Sequence, residues 1–218
     1  MLAYLVLAPG LLFLFAGTLR WMMAWVYVLV LLAFTLGSRL AAWRRFPDML
    51  VERASFAHAR DVKPWDRGLV LVIGLLGPAA LSVVAGIDHR FAWPPPVPQA
   101  LQALGLACLI AGYALGTWAM LSNRFFSAVV RIQTERGQHV VTSGPYRFLR
   151  HPSYAGGLLA CLAMPLMLDA VWALAPAGLI SLVLVVRTSL EDRVLIEELP
   201  GYRQYAAMTR HRLLPGVW

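Results

Sequence analysis

Residues 155–186 read AGGLLACLAMPLMLDAVWALAPAGLISLVLVV, and how this run meets a membrane decides the fold. It carries one charge, Asp169, near its middle, with Pro165 and Pro176 on either side. Basic residues close it at both ends, Arg147 and Arg150 before it, Arg187 and Arg193 after it. Lys and Arg collect on the cytoplasmic side of membrane proteins, so both ends belong on one side. A single span cannot return to the side it left. The run is therefore expected to be a helical hairpin that turns where the prolines and Asp169 interrupt it. Each arm is short for a full crossing, which implies tilt or partial insertion.

Upstream, the runs 2–19, 21–43, 68–88 and 100–121 are each apolar and long enough to cross roughly 30 Å of hydrocarbon as a helix. The first has no basic leader, and another apolar run follows after Arg20, so it reads as a retained span rather than a signal peptide. Of the 218 residues, 60% are hydrophobic and 14% charged. Soluble domains are about one quarter charged, so the chain is expected in a bilayer. A net charge of +8 could suit nucleic acid, but its distribution does not. All of the 19 Lys and Arg except Arg20 and Arg90 fall in 39–67, 124–150 and 187–212, alternating with apolar runs as loops do. No basic run interleaves with aromatics in the manner of a nucleic-acid groove. With the three basic stretches cytoplasmic, Arg20 and the 88–98 loop lie outside.

The expected fold is all-α, a polytopic membrane helical bundle with four clear spans, a C-terminal helical hairpin and a cytoplasmic C-terminal helix. No repeat or linker divides the chain, so 1–218 is one membrane domain. Cys108 and Cys161 lie in apolar runs and read as small buried hydrophobes, neither a disulfide framework nor a metal site. Gly112 and Gly116 form a small-xxx-small pattern suited to close helix packing. Trp21, Trp25, Trp43, Trp65 and Trp93 flank spans as an aromatic belt would. The segment 64–67 reads as the start of the third span, with Asp66 and Arg67 at the interface.

Two polar clusters bracket the hairpin. The first is Arg150-His151-Pro152-Ser153-Tyr154. Pro152 favours an extended His151 and suits the first position of a helix. A helix start offers free N–H groups and a positive dipole end, a seat for a carboxylate. The competing reading is an interfacial cap with snorkelling side chains. In the second cluster Arg187 and Glu191 stand four apart on one helical face, with Ser189 and Asp192 turned to another. They could be a solvated ion pair, but an acid so close to the bilayer is costly unless it faces the interior or a cavity. Glu197 and Glu198 lie farther out and read as a wet helix face. The hairpin would bring the two clusters together.

The order of motifs is specific. It runs 123–127 (NRFFS), Gln133, 139–146 (HVVTSGPY), 150–154 (RHPSY), Arg187 with Glu191-Asp192, Gly201-Tyr202, Tyr205 and Pro215. Together these resemble the isoprenylcysteine carboxyl methyltransferase and phospholipid methyltransferase family of membrane enzymes, over roughly the last hundred residues. The segment 47–53 (PDMLVER) with 63–66 (KPWD) also resembles bacterial members.

The resemblance implies S-adenosyl-L-methionine as cofactor, held inside the helical bundle on the cytoplasmic side. Residues 1–122 would then be a four-span scaffold and 123–218 the cofactor-binding, catalytic part. Carried over by position, Gln133, His139, Val140, Val141, Tyr146, His151, Pro152, Ser153 and Tyr154 match the cofactor pocket. Glu191 matches the cofactor-binding acid and Arg187 a substrate-contacting arginine. The family often has Glu-Glu where this chain has Glu191-Asp192, which leaves the contact of Asp192 open.

Methyl transfer from a sulfonium is an in-line displacement that needs positioning and exclusion of water. It needs no metal, and the sequence offers no ligand cluster for one. The expected catalytic set is Arg187, Glu191 and His151. Arg187 would hold an anionic acceptor, and His151 would hydrogen-bond the cofactor or act as a base. The acceptor would be lipophilic or small: a lipidic carboxylate, a phospholipid amine or a thiol. The expected location is a bacterial inner membrane with the site facing the cytoplasm. Two other classes stay open: an NADPH-dependent membrane reductase of the sterol-reductase type, and a non-catalytic scaffold.

Overall fold

The computed structural model describes residues 2–55 and 61–218, and among them there is no β-strand. Helix α1 (Leu2–Ala16) leads through a short turn into α2 (Met22–Arg45), and α3 (Pro47–Ala54) follows almost directly. Next come α4 (Asp66–Leu71), a π turn (Val72–Leu76) and α5 (Gly77–Phe91), which together form one continuous helix. Helix α6 (Gln99–Ser122) precedes a long irregular segment with two 3-10 turns. The hairpin is α7 (Pro152–Met167) and α8 (Leu174–Glu198), and α9 (Tyr202–Met208) follows.

Among the described residues, four helices are long and apolar enough to cross a membrane: Met22–Arg45, Asp66–Phe91, Gln99–Ser122 and Val171–Glu198. The fold class is as expected, but the fourth long helix is the second arm of the hairpin, not the run 2–19. That first run stops after 15 residues, where Gly17 turns with φ +67. Helix α8 is 25 residues long because it continues past the apolar run. Its polar residues Arg187, Thr188 and Asp192 are buried, so that stretch packs inside the bundle rather than unravelling into a loop. Pro176 sits in the first turn of α8, where its missing N–H costs no helical bond.

The hairpin turns at Asp169, which has φ 54. The Asp169 carboxylate accepts from the Val97 N–H at 2.5 Å, and Asp88 accepts from the Trp172 N–H at 2.9 Å. Two acids thus tie the hairpin tip to the end of α5 and to the loop that follows it. Trp21 departs from the belt expectation. It is 6% exposed and stacks on His89 with ring centroids 3.8 Å apart. Trp25, Trp43 and Trp93 stay exposed.

Close contact between α6 and α7 is set by glycine. A Cβ on Gly112 would lie 2.5 Å from the Gly156 carbonyl oxygen, and one on Gly105 would lie 2.7 Å from the Met167 nitrogen. A Cβ on Gly116 would meet nothing within 4 Å. The close-packing stripe is therefore Gly105 with Gly112, not Gly112 with Gly116. Leu12, Leu31, Leu81, Leu109, Met167 and Ile180 form the main core. Leu14, Leu29, Leu36, Leu179 and Leu182 point outward and are more than half exposed, an apolar exterior that suits lipid.

Candidate active site

The site lies where α4, α7 and α8 meet the irregular segment 123–151. Helix α7 begins at Pro152, as the sequence leads one to expect, and His151 caps it with φ −126 and ψ 60. The preceding backbone is held by the C-terminal segment. The Arg150 N–H donates to the His211 carbonyl at 2.9 Å, and the His151 N–H to the Arg212 carbonyl at 3.0 Å. Tyr154 follows on the first turn.

The Tyr154 hydroxyl joins the two polar clusters. It donates to Glu191 Oε2 and accepts from Arg187 Nη1 at 2.6 Å. Arg187 and Glu191 therefore share one face of α8 and one partner. Arg187 in turn donates from Nε to Asp66 Oδ1 at 2.7 Å, and from Nη2 to Asp66 Oδ2 at 3.3 Å and the Ala128 carbonyl at 3.1 Å. Asp66 also accepts from the Val130 N–H at 2.7 Å. Asp66 is not an interfacial residue. It is fully buried and neutralises Arg187. Its signal in the sequence was an acid at the start of an apolar span, a costly position unless the side chain faces inward.

Glu191 has no direct ion pair among the described residues, and Arg187 reaches it only through the shared Tyr154 hydroxyl. Tyr154 is its one hydrogen-bond partner among the described residues, and it belongs to no ion pair there. A half-buried carboxylate facing a cavity without a direct ion-pair partner is suited to a ligand ammonium.

Asp192 points to the other side of α8 and is a structural hub. It pairs with Arg150 at 3.1 Å, Arg212 at 2.8 Å and His151 at 3.2 Å. It also accepts from the Tyr202 hydroxyl at 3.1 Å. His151 lies between the two systems, in contact with Asp192 and stacked on Tyr154 at 5.7 Å with an interplanar angle of 4°. Tyr205 donates to the Tyr146 carbonyl at 2.6 Å, and Asn123 donates to the Tyr146 hydroxyl at 3.3 Å. Burial raises the pKa of Tyr146 and Tyr202 well above the ordinary phenol value and pushes Tyr205 up to about 12. All three are neutral hydrogen-bonding groups at physiological pH.

The outer wall comes from the irregular segment. Gln133 is 1% exposed. It donates to the Phe125 carbonyl at 2.7 Å, and Arg136 donates to its side-chain oxygen. His139 packs edge-on against Phe125 at 4.9 Å. The segment is pinned to α3, where Asp48 takes Arg136 at 2.6 Å and Arg124 at 2.9 Å, and Glu52 takes Arg131 at 2.8 Å. Hydrogen bonding to Arg136, aided by Arg124, holds the Asp48 carboxyl at about 2.

One narrow cavity of about 110 Å³ has Gln133, His139, Val140, Val141, Tyr146, His151, Ser153, Tyr154, Arg187 and Glu191 in its walls. Pro152 is buried behind them as the helix start. Residues that sequence reasoning did not single out also line it, among them Val129, Val130 and Leu195. A second, mostly apolar cavity of about 400 Å³ meets the first at Ser153, Tyr154 and Arg187. It runs between α2, the π turn, α7 and α8, past Tyr27, Gly74, Cys161 and Ile180. No group of three or more His, Cys, Asp or Glu that could hold a metal ion occurs among the described residues.

The family model for phospholipid methyltransferases matches residues 100–200, which contain every residue expected of the cofactor pocket. Protein-S-isoprenylcysteine O-methyltransferase B of Arabidopsis thaliana is 32% identical over 99 residues, 45% of this chain and 48% of that protein. The cobalt-zinc-cadmium resistance protein CzcN of Cupriavidus metallidurans is 25% identical over 174 residues, 78% of this chain and 61% of that protein. A probable protein-S-isoprenylcysteine O-methyltransferase of Oryza sativa subsp. indica is 35% identical over 66 residues, 30% of this chain and 35% of that protein. In each case the match spans less than two thirds of the relative. By its motifs, its helical membrane architecture and the match over 100–200, the chain is similar to the phospholipid methyltransferase family and to isoprenylcysteine O-methyltransferases.

Proposed function

We propose that the protein transfers a methyl group from S-adenosyl-L-methionine to a lipophilic acceptor that arrives through the bilayer. The observation that carries this is Glu191, a carboxylate without an ion-pair partner among the described residues, in the wall of a cavity that shares wall residues with a larger apolar one. The donor set fits the cofactor chemically. Glu191 would neutralise its amino group. The start of α7 with His151 and Ser153 would take its carboxylate. Gln133, Tyr146 and the 139–141 loop would flank its base. When bound, the cofactor supplies an electrophilic sulfonium methyl.

The chain's own groups then have three tasks. Asp66 and Tyr154 hold the Arg187 guanidinium rigid at the junction of the two cavities, so that donor and acceptor meet in one geometry. The Asp192 hub fixes the His151 backbone and ring. The apolar cavity admits the acceptor's tail and excludes water. An acceptor carboxylate or thiolate needs no base, and an amine could lose its proton to His151. By the positive-inside rule, the site faces the cytoplasm.

The deciding measurement is calorimetric titration of detergent-purified protein with S-adenosylhomocysteine, beside Glu191→Ala. Micromolar binding is expected, and the variant should weaken it about 10- to 100-fold, the loss of one charged hydrogen bond. Folded wild-type protein that ignores S-adenosylhomocysteine but binds NADPH would transfer the assignment to the reductase class. Folded protein that binds neither would leave a scaffold.

A further inference from the structure

Helix α3 sorts its charges. Asp48 and Glu52 face the 123–136 segment and are consumed there by Arg124, Arg131 and Arg136. Arg53 takes no part in these pairs. Its guanidinium lies 4.9 Å from the Phe126 ring and lines the apolar cavity beside Tyr154 and Arg187. The same side chain lines an adjoining cavity of about 770 Å³ between α2, α3 and α6, where Arg39 is the second cation. Arg39 donates to the Thr35 carbonyl at 3.2 Å and meets no acid.

The chain has eleven acids, all among the described residues, and none pairs with Arg53 or Arg39. The contrast with Arg187 is informative. Arg187 is matched by Asp66 and so presents little free charge to a ligand. Desolvation, with Arg39 and Arg187 adding repulsion, lowers the Arg53 pKa to about 10, so it is still a cation at neutral pH. A cation kept beside apolar walls without a counter-ion is unfavourable unless an anion joins it.

We infer that Arg53 is a specificity residue that anchors the acid group of an anionic amphiphile, whose apolar tail occupies the cavities between α2, α6 and α7. The inference deepens the acceptor side of the proposed function and rests on that reading. It names a head group of carboxylate or phosphate chemistry and commits to a hydrocarbon tail. Arg53 stands near the Tyr154–Arg187 junction, so the anchored head would sit next to the end of the cavity where Glu191 holds the donor.

The test needs no turnover. Protein in an uncharged maltoside detergent, at low salt and pH 8, is titrated with dodecanoate, dodecyl phosphate and dodecanol. At least one acid should bind about tenfold or more tighter than the alcohol. Arg53→Gln should erase that preference while leaving dodecanol and S-adenosylhomocysteine binding as in wild type, and Arg53→Lys should restore most of it. Dodecanoate against dodecyl phosphate separates the two sources of negative charge. Equal binding of acid and alcohol by wild type, or an undiminished preference in Arg53→Gln, would overturn the inference and leave Arg53 a snorkelling arginine on Phe126. Loss of S-adenosylhomocysteine binding alone in wild type would strike the methyltransferase reading instead.

Discussion

Glu191 and Asp192 are neighbours in sequence with opposite employment, and the difference is a turn of 100° around α8. Glu191 looks into the cavity with one neutral partner. Asp192 is fully buried and satisfies two arginines, the His151 ring and a phenol. Substitution should therefore separate binding from stability. Asp192→Asn leaves Arg150 and Arg212 uncompensated and should cost ~3–5 kcal/mol of folding free energy, read as a lower midpoint in denaturant or heat. Glu191→Gln should leave that midpoint within ~0.5 kcal/mol and act on S-adenosylhomocysteine affinity. Equal destabilisation by both would mean that Glu191 is also a structural acid. Family resemblance pointed to Glu191 and left the contact of Asp192 open, because a one-residue change of direction on a helix is settled by packing and not by residue type. Asp66 was misread for a related reason. Its partner lies 121 residues away, a pairing that no local pattern encodes.

Among the elements, the contact of α6 with α7 is the most sharply specified. Gly112→Ala would press a Cβ against the Gly156 carbonyl, a backbone atom that cannot move aside. It should cost ~1–3 kcal/mol. Gly116→Ala, which meets open space, should be neutral or slightly stabilising, since alanine favours a helix over glycine by ~0.5–1 kcal/mol. Thermal unfolding of the two variants side by side checks the assignment of the stripe, and similar losses would restore the Gly112–Gly116 motif. Helix α3 carries a pH dependence. Asp48 has a folded pKa of about 2 against an ordinary 3.8. A depressed carboxyl stabilises the fold fully above its unfolded value and loses that contribution as pH falls through the folded one. Docking of the 123–136 segment on α3 should therefore weaken between about pH 4 and 2, and proteolytic sensitivity of that segment should rise over the same window. Asp48→Asn should flatten the response. The length of the apolar runs and the placing of the basic residues located α2, α5, α6 and the hairpin well. It overestimated the run 2–19 and underestimated α8, because hydrophobicity measures what may enter lipid and not which polar residues are buried by neighbouring helices.

At the scale of the whole molecule, charge and architecture describe the same polarity. Asp66, Arg187, Glu191, Asp192 and the α3 contacts gather at one end of the bundle, and Asp88, Asp169 and the 92–98 loop at the other. The basic stretches read from sequence all fall at the end that holds the site, so the positive-inside rule orients the bundle with little competing signal. Residues 56–60 contribute Arg60 to one of those stretches but lie outside the described residues. Orientation can be read directly. In a background of Cys108→Ala and Cys161→Ala, single cysteines at the exposed positions Pro96 and Gln204 report the two ends. A membrane-impermeant maleimide should label Pro96→Cys on intact cells and reach Gln204→Cys only after permeabilisation. The reverse pattern would place the cavity outside, away from any cytoplasmic cofactor pool, and the methyltransferase reading would have to be abandoned with the topology. Labelling of both from outside would mean that α8 does not end on the side from which α7 starts. That outcome would break the hairpin on which the meeting of Tyr154 with Arg187 and Glu191 depends.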